Sequence, residues 1–260
     1  MVTFAGTHNE RLRILRALRE RKGRRKFSRY LIEGPTLLQE ALESGIAIDT
    51  LAATQEAYDR HRALMEWAES TGAATYVVQE RVLAGLADTT TPQGIVAAVP
   101  EHLSSFEDVL DAGGPTLVLA GIGDPGNAGT LLRSAEAFEA GGVCFVDDAV
   151  DALSPKVVRA AMGAVFRLKI ARGDGLELAR LAQEHRRPIL VADLEGEACD
   201  RFEFPANFVL VIGHERRGPA AWLERADARV RIPQGGRVES LNAAMAGSIL
   251  LYEAARKRST

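Results

Sequence analysis

Cysteine is nearly missing from this 260-residue chain, which carries only Cys144 and Cys199, far apart. That argues against a disulfide scaffold or a thiolate zinc site and predicts reduced thiols in a cytoplasmic protein. Histidine is as sparse: five residues, scattered, with no H-x-x-x-H spacing and no Cys/His cluster, so no metal is expected. No apolar run approaches the roughly 20 residues of a membrane span. The opening "MVTFAGTHNE" lacks the charged-then-apolar pattern of a secretory signal, so neither membrane insertion nor export is expected. Internal repeats and low-complexity tracts are missing too. What remains, 47% of it hydrophobic, is enough for one large domain or two small ones.

The net charge is only −3, but it is unevenly spread. Residues 10 to 29 hold ten Arg or Lys against Glu10 and Glu20, +8 in all, which leaves −11 for the rest. Charge alone leaves a solvated helix face and a polyanion-binding surface equally open. Phe27 and Tyr30 lie among Arg24, Arg25, Lys26 and Arg29, and aromatics among cations suit base stacking plus phosphate contact. These four cations are therefore the candidate RNA-binding residues.

Hydrophobic periodicity predicts a helix over 9–21, with Leu12, Leu15 and Leu18 on one stripe. A strand, a Gly34-Pro35 turn and a helix ending at Gly45 follow. "IDTLAAT", "ATYVVQ" and "GIVAAVP" read as strands, and residues 56–72 and 80–88 as helices. This makes an α/β unit over 1–99. Residues 100–114, polar and closing in Gly-Gly-Pro, read as a linker with a short helix. Over 115–260, "TLVLAG", "GVCFVD", "FRLKI", "PILVAD", "FVLVIG" and "ARVRIP" are apolar without alternation, as buried parallel strands are. A final helix is predicted to start at Ser240 as N-cap.

"LVLAGIGDPGNAGTLLRSAEAF", residues 117–138, has Gly121, Gly123 and Gly126 in G-x-G-x-x-G spacing, with Asp147 ending the next apolar run. A nicotinamide-dependent dehydrogenase places its ribose-binding acid about there. Against this, Pro125 has no N–H to offer a pyrophosphate, and Asp124-Pro125 reads as an N-cap with proline at N1. Nor does a dehydrogenase explain "VIGHERRGP" and "IPQGGRVESLN" near the C-terminus. A P-loop fails because no Lys-Ser or Lys-Thr follows the glycines.

Together the three segments resemble the motifs of the SpoU (TrmH) family of RNA ribose 2′-O-methyltransferases, in the SPOUT superfamily. "DPGNAGTLLRSAEAF" resembles the first motif, with Asn127 and Arg133; "VLVIGHERRGP" the second, with Glu215 and Gly218; "RIPQGGRVESLNAAMAGSILLYEA" the third, with Ser240, Leu241 and Asn242. "FSRYLIEGPTLLQEAL" and "TTTPQGIVAAV" resemble the family's ribosomal-protein-like substrate-binding domain. The chain departs at His214, Arg216, Pro219 and Ala243, where Asn, Gly, Leu and Val are usual.

The resemblance implies an α/β fold: a C-terminal domain with a parallel sheet and a trefoil knot, after an N-terminal α/β RNA-binding domain. It implies S-adenosylmethionine as cofactor, held by Ala192, Asp193, Ile212, Gly213, Glu215, Gly218, Ile232, Gln234, Leu241 and Asn242. It implies Asn127, Arg133, Glu215, Ser240 and Asn242 as catalytic residues, a homodimer, and an RNA substrate, ribosomal RNA in preference to tRNA. A guanidinium has no free lone pair, so Arg133 is expected to clamp phosphate and hydroxyl rather than act as a free base. Two other readings stay open at this point: a non-catalytic RNA-binding or ribosome-assembly factor on the same scaffold, and tRNA as substrate. Lys156 and Arg159 read either as a solvated helix face or as further phosphate contacts.

Overall fold

The computed structural model of the chain describes residues 3–4, 9–214, 219–236 and 240–258. It divides into two units, residues 1–102 with 153–166, and residues 103–152 with 167–260.

The first unit is built on a mixed sheet in the order β1 (Thr3–Phe4), β4 (Ala74–Val78), β3 (Thr50–Thr54), β5 (Ile95–Pro100), β2 (Arg29–Glu33). β1, β4 and β3 are parallel, and β5 runs antiparallel to both β3 and β2. Its helices are α1 (Glu10–Ala17), α2 (Arg21–Phe27), α3 (Pro35–Glu43), α4 (Gln55–Arg60), α5 (Arg62–Ser70), α6 (Glu80–Leu86) and α9 (Pro155–Ala161). Asn9 starts α1 by accepting from the Arg11 and Leu12 amides, and Leu12, Leu15 and Leu18 pack into a core with Leu31, Val96 and Ala98. Arg159 of α9 pairs with Glu33 and Asp88, so it is neither a solvated face nor a spare phosphate contact.

The predicted helix over 9–21 is two helices. α1 stops at Ala17, and α2 crosses its end so closely that a Cβ on Gly23 would lie 1.9 Å from the Ala17 carbonyl oxygen. Arg24 turns inward, only 5% exposed, and its Nη1 donates to the Leu18 and Arg19 carbonyls at 2.8 and 2.9 Å. Those are carbonyls that a helix end leaves without intrahelical partners. Arg24 is thus a structural cap, and its place in the RNA-binding set is corrected. Arg29 donates to the Phe27 carbonyl at 2.8 Å and to Asp49 at 3.1 Å, so part of its charge is already engaged. Burial pushes the Asp49 carboxyl up, but hydrogen bonds from Arg29 and Thr50 and the nearby Arg29 and Arg11 charges hold it below the usual range. Arg25 and Lys26 are exposed, and Lys26 Nζ lies 5.2 Å from the centre of the Phe27 ring. The helix predicted over 56–72 likewise breaks, at His61, where φ −113° and ψ 34° leave helical geometry and re-aim Met65 and Ala68 into the core.

The second unit is a six-stranded sheet in the order β11 (Ala228–Arg231), β9 (Ile189–Ala198), β10 (Val209–Gly213), β6 (Thr116–Ala120), β7 (Gly142–Val146), β8 (Ile170–Gly173). Every neighbouring pair is parallel, as expected. β6 and β7 are buried throughout, with Val118, Cys144 and Val211 in one core. Helices α7 (Phe106–Leu110), α8 (Pro125–Ala137), α11 (Gly175–Glu184), α12 (Ala220–Leu223) and α13 (Ala243–Arg258) complete it. "FRLKI" is not one strand. Phe166 and Arg167 end the short helix α10 (Ala164–Arg167), set up by the left-handed backbone of Met162 and Gly163, and β8 begins only at Ile170. Among the described residues no helix is long and apolar enough to cross a membrane.

Arg24→Met is expected to lower the unfolding free energy by about 1–3 kcal/mol, because two carbonyls lose their donor. Arg25→Met is expected to stay within about 0.5 kcal/mol of the parent. Urea unfolding of the two variants side by side checks this.

Candidate active site at the carboxyl ends of the second sheet

β9 does not stay in register with β11. Leu190 and Val191 pair with Ala228 and Arg229, and pairing resumes with Glu197 and Ala198 opposite Val230 and Arg231. Residues 192–196 therefore bulge out of the ladder. The bulge closes at Gly196, where a Cβ would lie 2.5 Å from the Val230 nitrogen, and Asp193 tightens it by accepting from the Glu195 amide at 2.9 Å.

The bulge presents Ala192, Asp193 and Leu194 to a cavity of about 250 Å³. The end of β10 supplies a second wall, Ile212, Gly213 and His214, joined by Pro219. The stretch after β11 supplies Ile232 and Gln234, and the approach to α13 supplies Ser240 and Leu241. Ala246 and Leu250, one helical turn apart on α13, finish the lining. Of the residues expected to hold the cofactor, Ala192, Asp193, Ile212, Gly213, Ile232, Gln234 and Leu241 thus meet in one place, from segments far apart in the chain. Glu215 and Gly218 lie outside the described residues. Leu194, Pro219, Arg231, Ala246 and Leu250 were not anticipated; only the i, i+4 spacing of Ala246 and Leu250 along α13 offered a signal. Gln234 Oε1 is shut off from solvent and has no hydrogen-bond partner among the described residues.

Asn242 is not among the residues that line that cavity and does a different job. Its Oδ1 accepts from the Ala244 and Met245 amides at 2.9 and 3.2 Å, so Asn242, not Ser240, is the N-cap of α13. With Oδ1 committed, its Nδ2 donates to Asn127 Oδ1 at 3.0 Å. Asn127 sits in the first turn of α8, which Asp124 caps by accepting from the Asn127 amide at 2.7 Å, with Pro125 at N1 as the sequence predicts. The N-termini of α8 and α13 are thereby stitched together, and the Asn127 amide is held with Oδ1 toward Asn242. Arg133, further along α8, is exposed, has no hydrogen-bond or ion-pair partner among the described residues, and does not line the cavity.

Asp147, the mimic of a ribose-binding acid, accepts from the buried Trp222 indole N–H at 2.7 Å. It anchors α12, whose N-cap Pro219 lines the cavity. The carboxylate is engaged inside the fold. Cys144 and Cys199 are buried and free, and burial pushes both thiols up, away from nucleophilic use.

Residues 114–252 match the SpoU rRNA Methylase family, and residues 9–97 match the MRM3-like substrate binding domain. The chain is 30% identical to the 23S rRNA (guanosine(2553)-2′-O)-methyltransferase of Bacillus subtilis, over 97% of this chain and 98% of that one. It is 31% identical to the 23S rRNA (uridine(2479)-2′-O)-methyltransferase of Streptomyces viridochromogenes, over 93% and 87%. Among solved structures, the AdoMet-bound rRNA methyltransferase of Sinorhizobium meliloti superposes with a TM-score of 0.87 at 30% identity, covering 98% of both chains.

Asn242→Ala is expected to cost about 1 kcal/mol through loss of the α13 cap, whereas Asn242→Asp keeps the cap and most of that stability. Thermal unfolding of both variants distinguishes them.

Proposed function

The chain belongs to the SpoU rRNA methylase family, and from that premise we propose how its residues divide the work. It is an S-adenosylmethionine-dependent enzyme that methylates a ribose 2′-hydroxyl of RNA, ribosomal RNA rather than tRNA. One observation carries the assignment of the site: three segments distant in sequence close round one cavity next to the joined N-termini of α8 and α13.

The cavity suits the cofactor. Ile212, Ile232 and Leu241 offer apolar walls to an adenosine, the bulge at Ala192 and Asp193 and the chain at Gly213 offer backbone groups, and Gln234 offers an acceptor that no described group pairs with. Bound S-adenosylmethionine supplies a methyl group made electrophilic by its sulfonium. The protein's task is to align the 2′-hydroxyl with that methyl and to ease loss of its proton. Asn127, fixed by Asn242, orients the hydroxyl. Arg133 clamps the adjoining phosphate and the hydroxyl through its N–H groups. Ser240, at the cavity's edge, fixes ribose or cofactor. Glu215 is assigned the orienting of Asn127 or Arg133.

The proposal gives residues 1–99 the gripping of RNA and residues 115–260 the transfer. Arg25, Lys26 and the accessible part of Arg29 serve as phosphate contacts, together with Arg13, Arg16 and Lys22, which line a groove of about 500 Å³ between α1 and α2 with Phe27. It also makes the enzyme a cytoplasmic homodimer. Arg133 has nothing to organise it within one described chain, and α13 exposes Met245 (55%) and Tyr252 (51%), apolar surface that a second copy would cover. Sedimentation at twice the monomer mass checks the dimer. The trefoil knot belongs to the same proposal, supported by the return of the chain after β11 to the wall made by β9 and β10; refolding from urea far slower than helix formation checks it.

Calorimetry with S-adenosylhomocysteine and NADH tests the cofactor assignment: the first is expected to bind and the second not, and the reverse would refute it. Asn242→Asp, which leaves the cap but removes the donor to Asn127, is expected to lower methyl transfer at least about tenfold while the KM for RNA changes little. Neutralising Arg25 and Lys26 is expected to weaken RNA binding and reduce its salt slope by nearly two, with cofactor affinity unchanged. An unchanged slope would leave these cations as a solvated face.

A further inference from the structure

Gln234 follows β11 and lines the cavity. Its Oε1 is excluded from solvent yet accepts from no group among the described residues. Buried polar atoms are nearly always paired, because an unpaired one forfeits its hydration without compensation. Three other described side-chain atoms share this state, on Arg29, Tyr30 and Thr116, and none of those residues lines the cavity. Of the four residues, Gln234 is the one that lines this cavity. The lining groups able to donate, on His214, Arg231 and Ser240, leave Oε1 unbonded, while Ile212, Ile232 and Leu241 surround the same space with hydrocarbon. Among the described residues, then, the acceptor is held in place with no donor to meet it.

Resting on the reading of this cavity as the cofactor site, we propose that Gln234 Oε1 accepts a hydrogen bond from an amino N–H of S-adenosylmethionine, making Gln234 a specificity-determining residue for the methyl donor. The cofactor carries two such groups, the exocyclic amine of adenine and the ammonium of the methionine part. A molecule lacking the amine in question leaves the buried acceptor unpaired, and sites built to hydrogen-bond a polar group reject analogues without it far more strongly than apolar pockets do.

Isothermal calorimetry tests this without turnover, using S-adenosylhomocysteine, S-inosylhomocysteine (a carbonyl in place of the adenine amine) and 5′-methylthioadenosine (no methionine amine). The three ligands are titrated into the parent chain, Gln234→Met and Gln234→Glu, with Gln234→Leu replacing the methionine variant if its ligand-free melting shows it unfolded. The methionine variant is expected to bind S-adenosylhomocysteine about tenfold or more weakly. The glutamate variant, which can still accept, is expected to stay within about threefold. One analogue is expected to bind the parent and the methionine variant alike, and that analogue identifies the amine. Equal affinity of the parent and the methionine variant for S-adenosylhomocysteine would overturn the proposal. So would failure of glutamate to restore binding, or the same loss for all three ligands, which would make Gln234 a packing residue. Absence of binding by the parent would overturn the reading of the cavity itself, and this proposal with it.

Discussion

A single carboxamide, that of Asn242, connects the start of α13 to the start of α8. Its oxygen closes the first turn of α13 and its nitrogen donates to Asn127. No other side chain of that length serves both ends: aspartate accepts but cannot donate, and serine has one oxygen for both tasks. The Asn127 side chain is thereby tied to a helix cap. Two helix N-termini, each carrying partial positive charge, are held side by side.

The cavity beside them depends on an irregularity of the sheet. A regular β9 would have paired residues 192–196 with β11 and offered a flat edge. By leaving the ladder over that stretch, the strand turns Ala192 and Asp193 to face Ile212 and Ile232, and Gly196 lets it rejoin. Bulges recur beside active sites because they re-aim side chains without disturbing the strands behind them. Asp147 and Trp222 secure the opposite side, tying α12 to the end of β7.

Much of this was legible in the sequence for local reasons. Unbroken apolar runs marked β6, β7, β9 and β10, and Asp124-Pro125 marked the start of α8. The second and third motif segments marked residues that meet at the cavity, and the first marked Asn127, which Asn242 reaches. What could not be read was set by partners distant in sequence. Arg24 looks like its basic neighbours until the end of α1 is placed against it. Ser240 and Asn242 are both competent caps, and the position of Asn127 decides between them. The bulge in β9 is a matter of register with a strand about 30 residues on. The inclusion of residues 153–166 in the first unit has no sequence signal, since α9 joins it through Arg159, Glu33 and Asp88. That Gln234 Oε1 finds no partner among the described residues appears only once the cavity's walls are in place.

The central claim is transfer of a methyl group to a ribose oxygen of ribosomal RNA, and the direct measurement is where the methyl arrives. Purified chain is incubated with methyl-labelled S-adenosylmethionine and ribosomal RNA lacking the modification, and the product is mapped by alkaline cleavage. A 2′-O-methyl group removes the nucleophile that alkali needs, so the bond on its 3′ side resists hydrolysis. The expected result is label in ribosomal RNA at one nucleotide whose 3′ linkage withstands alkali. Label recovered on a base with the backbone fully cleavable, or no label from a chain that binds the donor, would contradict the account.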